Sequence, residues 1–342
     1  VAALLSGMSA LRCVGRPGWR HGWSAKEHAL LSGTRDGDAC FGMAARKGLH
    51  RLLNPGAFPL HANALKNKRL FADHAAAAGL RVPDSFVGQP DTLPRWIADR
   101  DAILVKPNFS SKGRGIAAYR RVAAGWSGPR GVLPQVSMEH EIARAFRAGA
   151  IIQRLHPTHP ALTAHSPGAL PSLRVMTCID EAAGIEACGS VLRLSAGGPR
   201  PVDNFNAGNI VAAVNPDGRC GRAARALPHG VEPLDRHPLT SAPISGTHVP
   251  DLADALALAV RAHQRFRDGF CVVGWDIGLT DEGPLLIEGN WNPGTDVLQL
   301  AGGLGIGGTR LGALYRHHLA ALPAERWRAA RPIQREPRRA SA

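Results

Sequence analysis

The sequence predicts an α+β protein whose sheets are antiparallel rather than doubly wound. Short strand-like runs interleave with helical ones, and several of the runs are closed by tight turns. One pair, Phe270 to Gly294 (FCVVGWDIGLTDEGPLLIEGNWNPG), reads as a hairpin folding back about Glu282. At 342 residues the chain exceeds the usual size of one core, so two or three lobes are expected.

Taken in order, Val1 to about Leu60 is broken by Gly15, Arg16-Pro17-Gly18, Gly33 and Asp36-Gly37, and reads as an irregular, helix-leaning leader. Asn63 to Ala78 (NALKNKRLFADHAAAA) is rich in helix formers and stops at Gly79, with Pro83 beyond. Asp101 to Lys106 is a short strand, followed by a glycine-punctuated loop and a returning strand from Gly115 to Tyr119. A polar, basic stretch runs through Arg147, then come strands Ala150 to Leu155 and Leu173 to Ile179 and a mixed region to about Pro250. Pro250-Asp251 opens a helix to Asp268, with Leu252, Leu256, Ala259, His263 and Phe266 on its apolar stripe. The expected divisions are a leader over 1–61, one lobe over 62–150, a second over 151–325, and a basic, disordered tail over 326–342.

Hydrophobic residues make up 44% and charged residues 20%, ordinary for a globular chain in water. No apolar run approaches the roughly 18 to 20 residues that cross a bilayer. VAALLSGMSALRCVG lacks a basic leader before its apolar part, which argues against a signal peptide and for a cytoplasmic location. The six cysteines lack any CxxC pair, so neither zinc nor a disulfide framework is expected; Cys178 and Cys271 read as reduced thiols serving as small hydrophobes. The net charge of +14 comes without a recognition helix, zinc finger or stacking motif, which argues against nucleic acid as the main partner and for a basic cleft that attracts small anions such as nucleotide phosphates.

In the hairpin, pairing symmetric about Glu282 sets Asp276 opposite Glu288 and Gly274 opposite Asn290, with Gly274 leaving room there. The other face carries Val273, Trp275, Ile277, Leu279, Leu285, Ile287 and Trp291, an apolar surface fit for burial. Two facing carboxylates with no base between them repel unless a cation intervenes, and a hard divalent ion such as magnesium (Mg2+) suits Asp276, Glu288 and Asn290. Taken alone, the segment also suits an amphipathic ribbon whose acids face water.

The second informative block is Ile103 to Ile116 (ILVKPNFSSKGRGI). Lys106 closes a strand before a loop of Ser110, Ser111, Lys112, Gly113, Arg114 and Gly115, whose amides, hydroxyls and cations suit an anion. It is not a Walker A sequence, and such loops are commonly plain hairpin turns.

Lys68 in a helix, Lys106 at a strand end, the Ser/Gly loop, Arg174 in PSLRVMT, and the late Asp276, Glu288 and Asn290 together resemble the ATP-grasp superfamily. The wording is closest to the sugar-transfer-associated ATP-grasp group, related to glutamate-ligase-like proteins. The likeness runs from about Ala62 to Ala320 through NKRLF, VKPNFSSKGRGI, QRLHPTHPAL to SLRVMT, PVDNFNAGN and VGWDIGLTDEGPLLIEGNWNPG. It implies an ATP-grasp fold, two α+β lobes with antiparallel sheets clasping ATP. It implies Lys68 and Lys106 on the phosphates, with Ser110, Ser111, Gly113 and Gly115 as the covering loop. Adenine would lie near Gln153, Arg154 and Leu155, and magnesium at Asp276, Glu288 and Asn290. Arg174, with Lys106, would stabilise the transferring phosphoryl group, and Asn204, Asn206 and Asn292 would line the same site. The chain departs from the family at Gln153-Arg154, where a Gln-Glu pair is common, and at Asn209, where a second glycine is frequent.

The implied activity is ATP-dependent ligation of a small carboxylate to an amine through an acyl phosphate, with amino acids or cell-surface sugar-pathway compounds as substrates. A phosphotransferase acting on a hydroxyl and a non-catalytic ATP-binding module are the alternatives. No nucleophilic side chain is needed, so His156, His159 and His248 are expected to be solvated or capping residues.

Overall fold

A computed structural model describes residues 23–31, 33–35, 39–110, 113–198, 201–227 and 230–328. The N-terminus before residue 23, Cys13, Ser111, Lys112 and residues 329–342 of the expected tail lie outside the described residues, whereas residues 326–328 of that tail are not disordered but end a helix, with Arg326 donating to the Leu52 carbonyl at 2.7 Å. The smaller sheet has five strands, β1 (Ala102–Lys106), β2 (Ala117–Val122), β3 (Gly125–Gly128), β4 (Gly131–Leu133) and β5 (Ile151–Arg154), in the order β4-β3-β2-β1-β5. The larger has seven, β6 (Ser172–Ile179), β7 (Ile185–Leu194), β8 (Ile210–Val214), β9 (Cys220–Leu227), β10 (Gly230–Leu234), β11 (Val272–Thr280) and β12 (Gly283–Asn290), in the order β10-β9-β8-β7-β6-β11-β12. Every neighbouring pair in both sheets is antiparallel, as the turn-closed runs predict.

The helices are α1 (Ala25–Leu31), α2 (Met43–Leu53), α3 (Lys68–Ala77), α4 (Leu93–Ala98), α5 (Gln135–Arg147), α6 (Leu252–Phe266), α7 (Asp296–Gly302), α8 (Arg310–Ala320) and α9 (Ala324–Arg328). On the smaller sheet, Leu93, Ile97, Met138 and Ile142 from α4 and α5 pack against Ile103, Tyr119, Trp126 and Ile152. On the larger sheet, α6 covers one face, with Ala255, Leu258, Ala259 and Ala262 against Leu173, Val175, Val273, Trp275 and Ile277.

Several expected elements shift in extent. Helix α3 starts at Lys68 rather than Asn63, because Asn67 caps it by accepting from the Leu70 amide at 3.3 Å while Asn63 is spent on a turn, accepting from the Leu65 amide at 2.8 Å. Its end at Gly79, φ +67°, is as expected. The basic stretch through Arg147 holds β3, β4 and α5; that helix is hard to read because only Met138, Ile142 and Ala143 bury within it. The buried stripe of α6 turns towards its alanines, leaving Leu252 and Leu256 half-buried, because the bulk comes from the sheet: Trp275 meets Phe266 and His263 with ring centroids 5.9 and 6.2 Å apart.

The expected leader is, in its described part, an integral layer. Leu30 and Leu31 of α1 pack with Val191, Val211 and Val297, and Leu49 and Leu53 of α2 with Met176, Val272 and Ile306, on the face of the larger sheet opposite α6. Asn54, fully buried, donates to the Val272 and Trp291 carbonyls at 2.8 and 2.6 Å and accepts from the Cys271 and Val272 amides at 2.8 and 3.1 Å. This one side chain satisfies backbone at the start of β11 and beyond the end of β12. Among the described residues no helix is long and apolar enough to cross a membrane.

Replacing Asn54 with Ala leaves those buried groups unpaired, so the urea midpoint should fall by the equivalent of roughly 3 kcal/mol; an unchanged midpoint would refute this role. His263 of α6 is equally buried, bonded to the Thr177 hydroxyl at 2.7 Å and the Phe270 carbonyl at 3.0 Å, and burial pushes it down to about 4. The unfolded chain takes up this proton near pH 6.5 while the folded one resists until about 4, so stability is present above 6.5 and declines as pH falls through that window. The group contributes about 3 kcal/mol to that decline. Urea titrations should show a flatter pH profile for His263→Gln, and an identical slope would count against the assignment.

Candidate functional site

The hairpin of β11 and β12 keeps the expected register at its acidic end, with Asp276 opposite Glu288 and Gly274 opposite Asn290. Between Asp276 and Ile277 the register shifts: Ile277 pairs with Leu286, Gly278 with Leu285 and Thr280 with Gly283, so Ile287 is the extra residue of a bulge. The expected apolar face is corrected accordingly. Leu286 joins Ile277 and Trp275 in the core, while Leu285 and Ile287 turn to the side of Asp276 and Glu288 and line a cavity there. The room expected at Gly274 is also filled, since a Cβ there would collide with the Pro293 ring of the Asn-Pro-Gly corner.

Asp276 does not face Glu288 without a base between them. Its cross-strand neighbour on β6 is Arg174, which donates from Nε to Oδ1 and from Nη2 to Oδ2 at 3.0 Å; Arg193 of β7 adds Nη1 to Oδ2 at 3.0 Å. Burial alone would raise the Asp276 carboxyl, but Arg174 and then Arg193 outweigh it and hold it well below the usual carboxylate range. Arg193 reaches onward to Asp203, which also takes the Ser172 hydroxyl. On the neighbouring strand, Glu288 lies 4.0 Å from Lys68 Nζ and accepts weakly from Asn290 at 3.4 Å.

Lys106, 8% exposed, ends β1 among the same charges; burial pushes it down to about 8 against the opposing pull of Glu288, and Lys68 adds to the fall. Burial likewise lowers Lys68, against the pull of Glu288. Lys68 donates to the Ser110 and Asn108 carbonyls at 2.7 and 3.4 Å, tying α3 to the glycine loop. Gly113, φ +68°, lies so close to Val202 and Asn204 that a side chain would not fit between loop and larger sheet.

Two cavities meet here. One of about 130 Å3 lies between the sheets and is lined by Lys106, Gly113, Gln153, Arg154, Leu155, Asp276, Leu285 and Ile287. The other, about 440 Å3, lies over α1 and α2 and is lined by Arg46, Arg174, Asn206, Asn290, Asn292 and Asp296. Lys68, Ser110, Arg193, Asn204 and Glu288 line both. Of the residues singled out in sequence, Gly115 lines neither; it packs on Pro107.

At the far end of the smaller cavity, the Arg154 and Leu155 amides are already committed to the Asp84 and Ala102 carbonyls at 2.8 and 3.0 Å, so a base there would meet these residues through other atoms. Gln153 donates to the Ser85 hydroxyl at 3.0 Å, and the Arg154 guanidinium is drawn to Glu282 at 3.0 Å. His159 caps, accepting from the Ala161 amide at 3.2 Å, and His248 is exposed, both as expected. His156 is not: it is buried and lines the cavity, with both ring nitrogens lacking a partner among the described residues.

Asn292 is oriented rather than free. Its Oδ1 takes Arg46 Nη1 at 2.9 Å and His50 Nδ1 at 3.1 Å, while His50 Nε2 accepts from the Tyr315 hydroxyl at 2.8 Å. Burial, and then Arg46, push His50 down to about 3, which keeps the ring neutral, and the acceptor Oδ1 of Asn292 places its one proton on Nδ1. Arg46, His50, Arg193 and Asp203 are not among the residues expected from the sequence. Arg193 alone had a signal, a lone charge inside the apolar run SVLRLS. Asn209 builds the Asn204 turn, donating to the Val202 and Asn204 carbonyls at 2.6 and 3.3 Å.

A hard cation suits this donor set. Of about four lone pairs on the Asp276 carboxylate three are taken by arginine, leaving one on Oδ1. Glu288 and Asn290 supply further oxygens on the same face.

Among solved structures, D-cycloserine synthetase DcsG shares 15% identity, with 77% of this chain and 72% of that one covered at a TM-score of 0.44. The ATP-grasp ligase PsnB complexed with a minimal precursor shares 16%, with 76% and 62% covered at 0.42. The ADP complex of N5-carboxyaminoimidazole ribonucleotide synthetase PurK shares 11%, with 68% and 46% covered at 0.39. The chain thus spans about half the length of PurK and less than two thirds of PsnB. A search of curated proteins finds no match. A family model described as sugar-transfer associated ATP-grasp matches residues 45–312, more than half of the chain. The chain belongs to the sugar-transfer associated ATP-grasp family.

Proposed function

We propose that the protein is an ATP-dependent carboxylate-amine ligase that makes an amide through an acyl phosphate. The observation that carries this reading is the junction of the two cavities at Lys68, Ser110, Arg193, Asn204 and Glu288, where a nucleotide in one would present its γ-phosphate to an acceptor in the other. Leu285 and Ile287 give the smaller cavity an apolar floor suited to a base, and Lys106 and Lys68 supply charge at its phosphate end. Arg46, Arg174 and Arg193 make the larger cavity attractive to a carboxylate, with Asp296 as an anionic counterpart for an amine.

In the first step a carboxylate oxygen attacks the γ-phosphorus in line, its P–O bond forms, the bond to the β-phosphate oxygen breaks, and ADP leaves. In the second an amine attacks the acyl carbon, phosphate departs with the C–O electron pair, and the amine loses a proton to solvent or phosphate. Lys68, Lys106 and Arg174 neutralise charge and hold the reactants in line; none needs to act as nucleophile. Magnesium at Glu288, Asn290 and the remaining Oδ1 lone pair of Asp276 would neutralise phosphate charge. Small-molecule acids and amines are the substrates this reading requires, with amino acids and amino sugars the first to try.

An ADP-release screen over such acids and amines should find turnover that drops at least about 100-fold in Glu288→Gln; turnover unaffected by that substitution would sink the metal assignment. Hydroxylamine in place of the amine should yield a hydroxamate, whereas ADP release with a phosphorylated hydroxyl acceptor and no hydroxamate would identify a phosphotransferase. Removing Arg193, as in Arg193→Met, leaves Asp276 and Asp203 buried without a shared counter-charge, at a cost of about 3 to 5 kcal/mol. Thermal melts should register that loss, and wild-type stability would show that the network does not depend on it.

A further inference from the structure

The seven-stranded sheet carries a second cluster of ligating side chains, on the same face as Arg174 but about 13 Å away along β6 at ~3.3 Å per residue. Cys178 belongs to β6, Cys271 immediately precedes β11, and His318 projects from α8. The Cys178 and Cys271 Sγ atoms lie 3.9 Å apart, and with a ring nitrogen of His318 the three ligand atoms fall within 4.8 Å of one another. A tetrahedral site with metal–sulfur bonds of about 2.3 Å has sulfur–sulfur edges near 3.8 Å, so the thiols already stand at the edge length that a bound zinc would impose. They are far beyond the ~2.05 Å of a disulfide bond.

We propose that this cluster is a binding site for a soft divalent metal, with zinc as its natural occupant, held by the Cys178 and Cys271 thiolates and the His318 imidazole. One imidazole nitrogen is held as the non-ligating nitrogen of a metal-bound histidine is held: Nε2 lies 2.6 Å from the Ile179 carbonyl, and a proton donated there would leave the Nδ1 lone pair for the metal. Two thiolates and a neutral imidazole compensate a divalent ion fully, which suits a site backed by Met176, Val272 and Tyr315. Sulfur and nitrogen donors separate it from the all-oxygen set at Glu288 and Asn290. Cys178 is fully buried while Cys271 and His318 are half-buried, so a metal enters from the α8 side, where water takes the fourth position. The neighbouring Cys188 thiol is turned instead to the Glu186 carbonyl at 3.4 Å. The proposal runs against the expectation drawn from the absence of CxxC, because the ligands would come from three separate elements. The metal would clamp α8 across the start of β11, the strand of Asp276, and the end of β6, the strand of Arg174. Its role is structural, and coordination of the two cysteines as thiolates releases one proton from each thiol to solvent.

The test uses the full chain, reduced and stripped with chelator, titrated with Co2+ and then Zn2+. One equivalent of cobalt should give thiolate charge-transfer absorption and the intense visible bands of a tetrahedral site, both bleached by zinc. Zinc should raise the melting temperature by several degrees. Cys271→Ser and His318→Gln, at half-buried positions where folding is checked by near-ultraviolet dichroism, should each weaken cobalt binding at least about 100-fold. Cys220→Ala, a cysteine of β9 outside the cluster, and Glu288→Gln should leave the spectrum unchanged. No cobalt–thiolate absorption in folded wild-type protein, retention of the full spectrum in both ligand variants, or a Cys178–Cys271 disulfide in the protein as isolated would overturn the proposal. None of these readouts involves ATP, so the site stands or falls separately from the ligase reading.

Discussion

The buried charge network on β7, β6 and β11 is the constraint around which the larger lobe is arranged. Asp276 could not be buried at 4% exposure without compensation, and compensation comes from Arg174 directly across on β6 and Arg193 one strand further. Arg193 in turn needs a second carboxylate, supplied by Asp203 from the loop before β8, and Asp203 is steadied by Ser172. Each charge therefore fixes the position of another strand or loop. The result draws the Val202–Asn204 segment to the sheet, and that segment is the surface on which Gly113 of the glycine loop rests. The two lobes thus meet at a point set by ion pairing as much as by apolar packing.

The described part of the N-terminal segment belongs to the same arrangement. Helix α2 brings Arg46, His50 and Asn54 to the far end of the hairpin, where Arg46 and His50 hold Asn292 and Asn54 satisfies the flanking backbone. One wall of the larger cavity is built from residues preceding the glycine loop in sequence, while its floor follows from β12 and α7. The cavity proposed for acceptors is therefore formed only when both parts of the chain are docked.

Much of this was legible in the sequence. Alternation along β11 and the acidic end of β12 gave Asp276 opposite Glu288, because strand parity is strict wherever one face is buried. The glycine loop after Lys106 is by itself no more than a common hairpin turn, and Lys68 and Lys106 gain meaning only through the resemblance to the ATP-grasp superfamily, which rests on the order of several strings rather than on any one. Three kinds of feature were not legible. A bulge leaves no local mark when apolar residues occupy every position from Leu285 to Ile287. Side chains brought in from afar, such as Arg46, His50 and the Cys178–Cys271–His318 cluster, carry no spacing signature. The α5 helix was hidden because its buried stripe is short and its remaining face is charged, as befits a helix that covers one small sheet.

The bulge at Ile287 has a wider consequence. By adding one residue it lets a single strand change sides partway along, so that β12 presents the Glu288 carboxylate and the apolar Leu285 and Ile287 side chains to the same chamber. A regular strand would have sent Leu285 and Ile287 into the interior and left Leu286 in the chamber. The irregularity gives this protein two adjustable regions on one ribbon, and substitutions that reshape the apolar floor can accumulate without disturbing the paired positions 274 to 276 and 288 to 290 that anchor the charges.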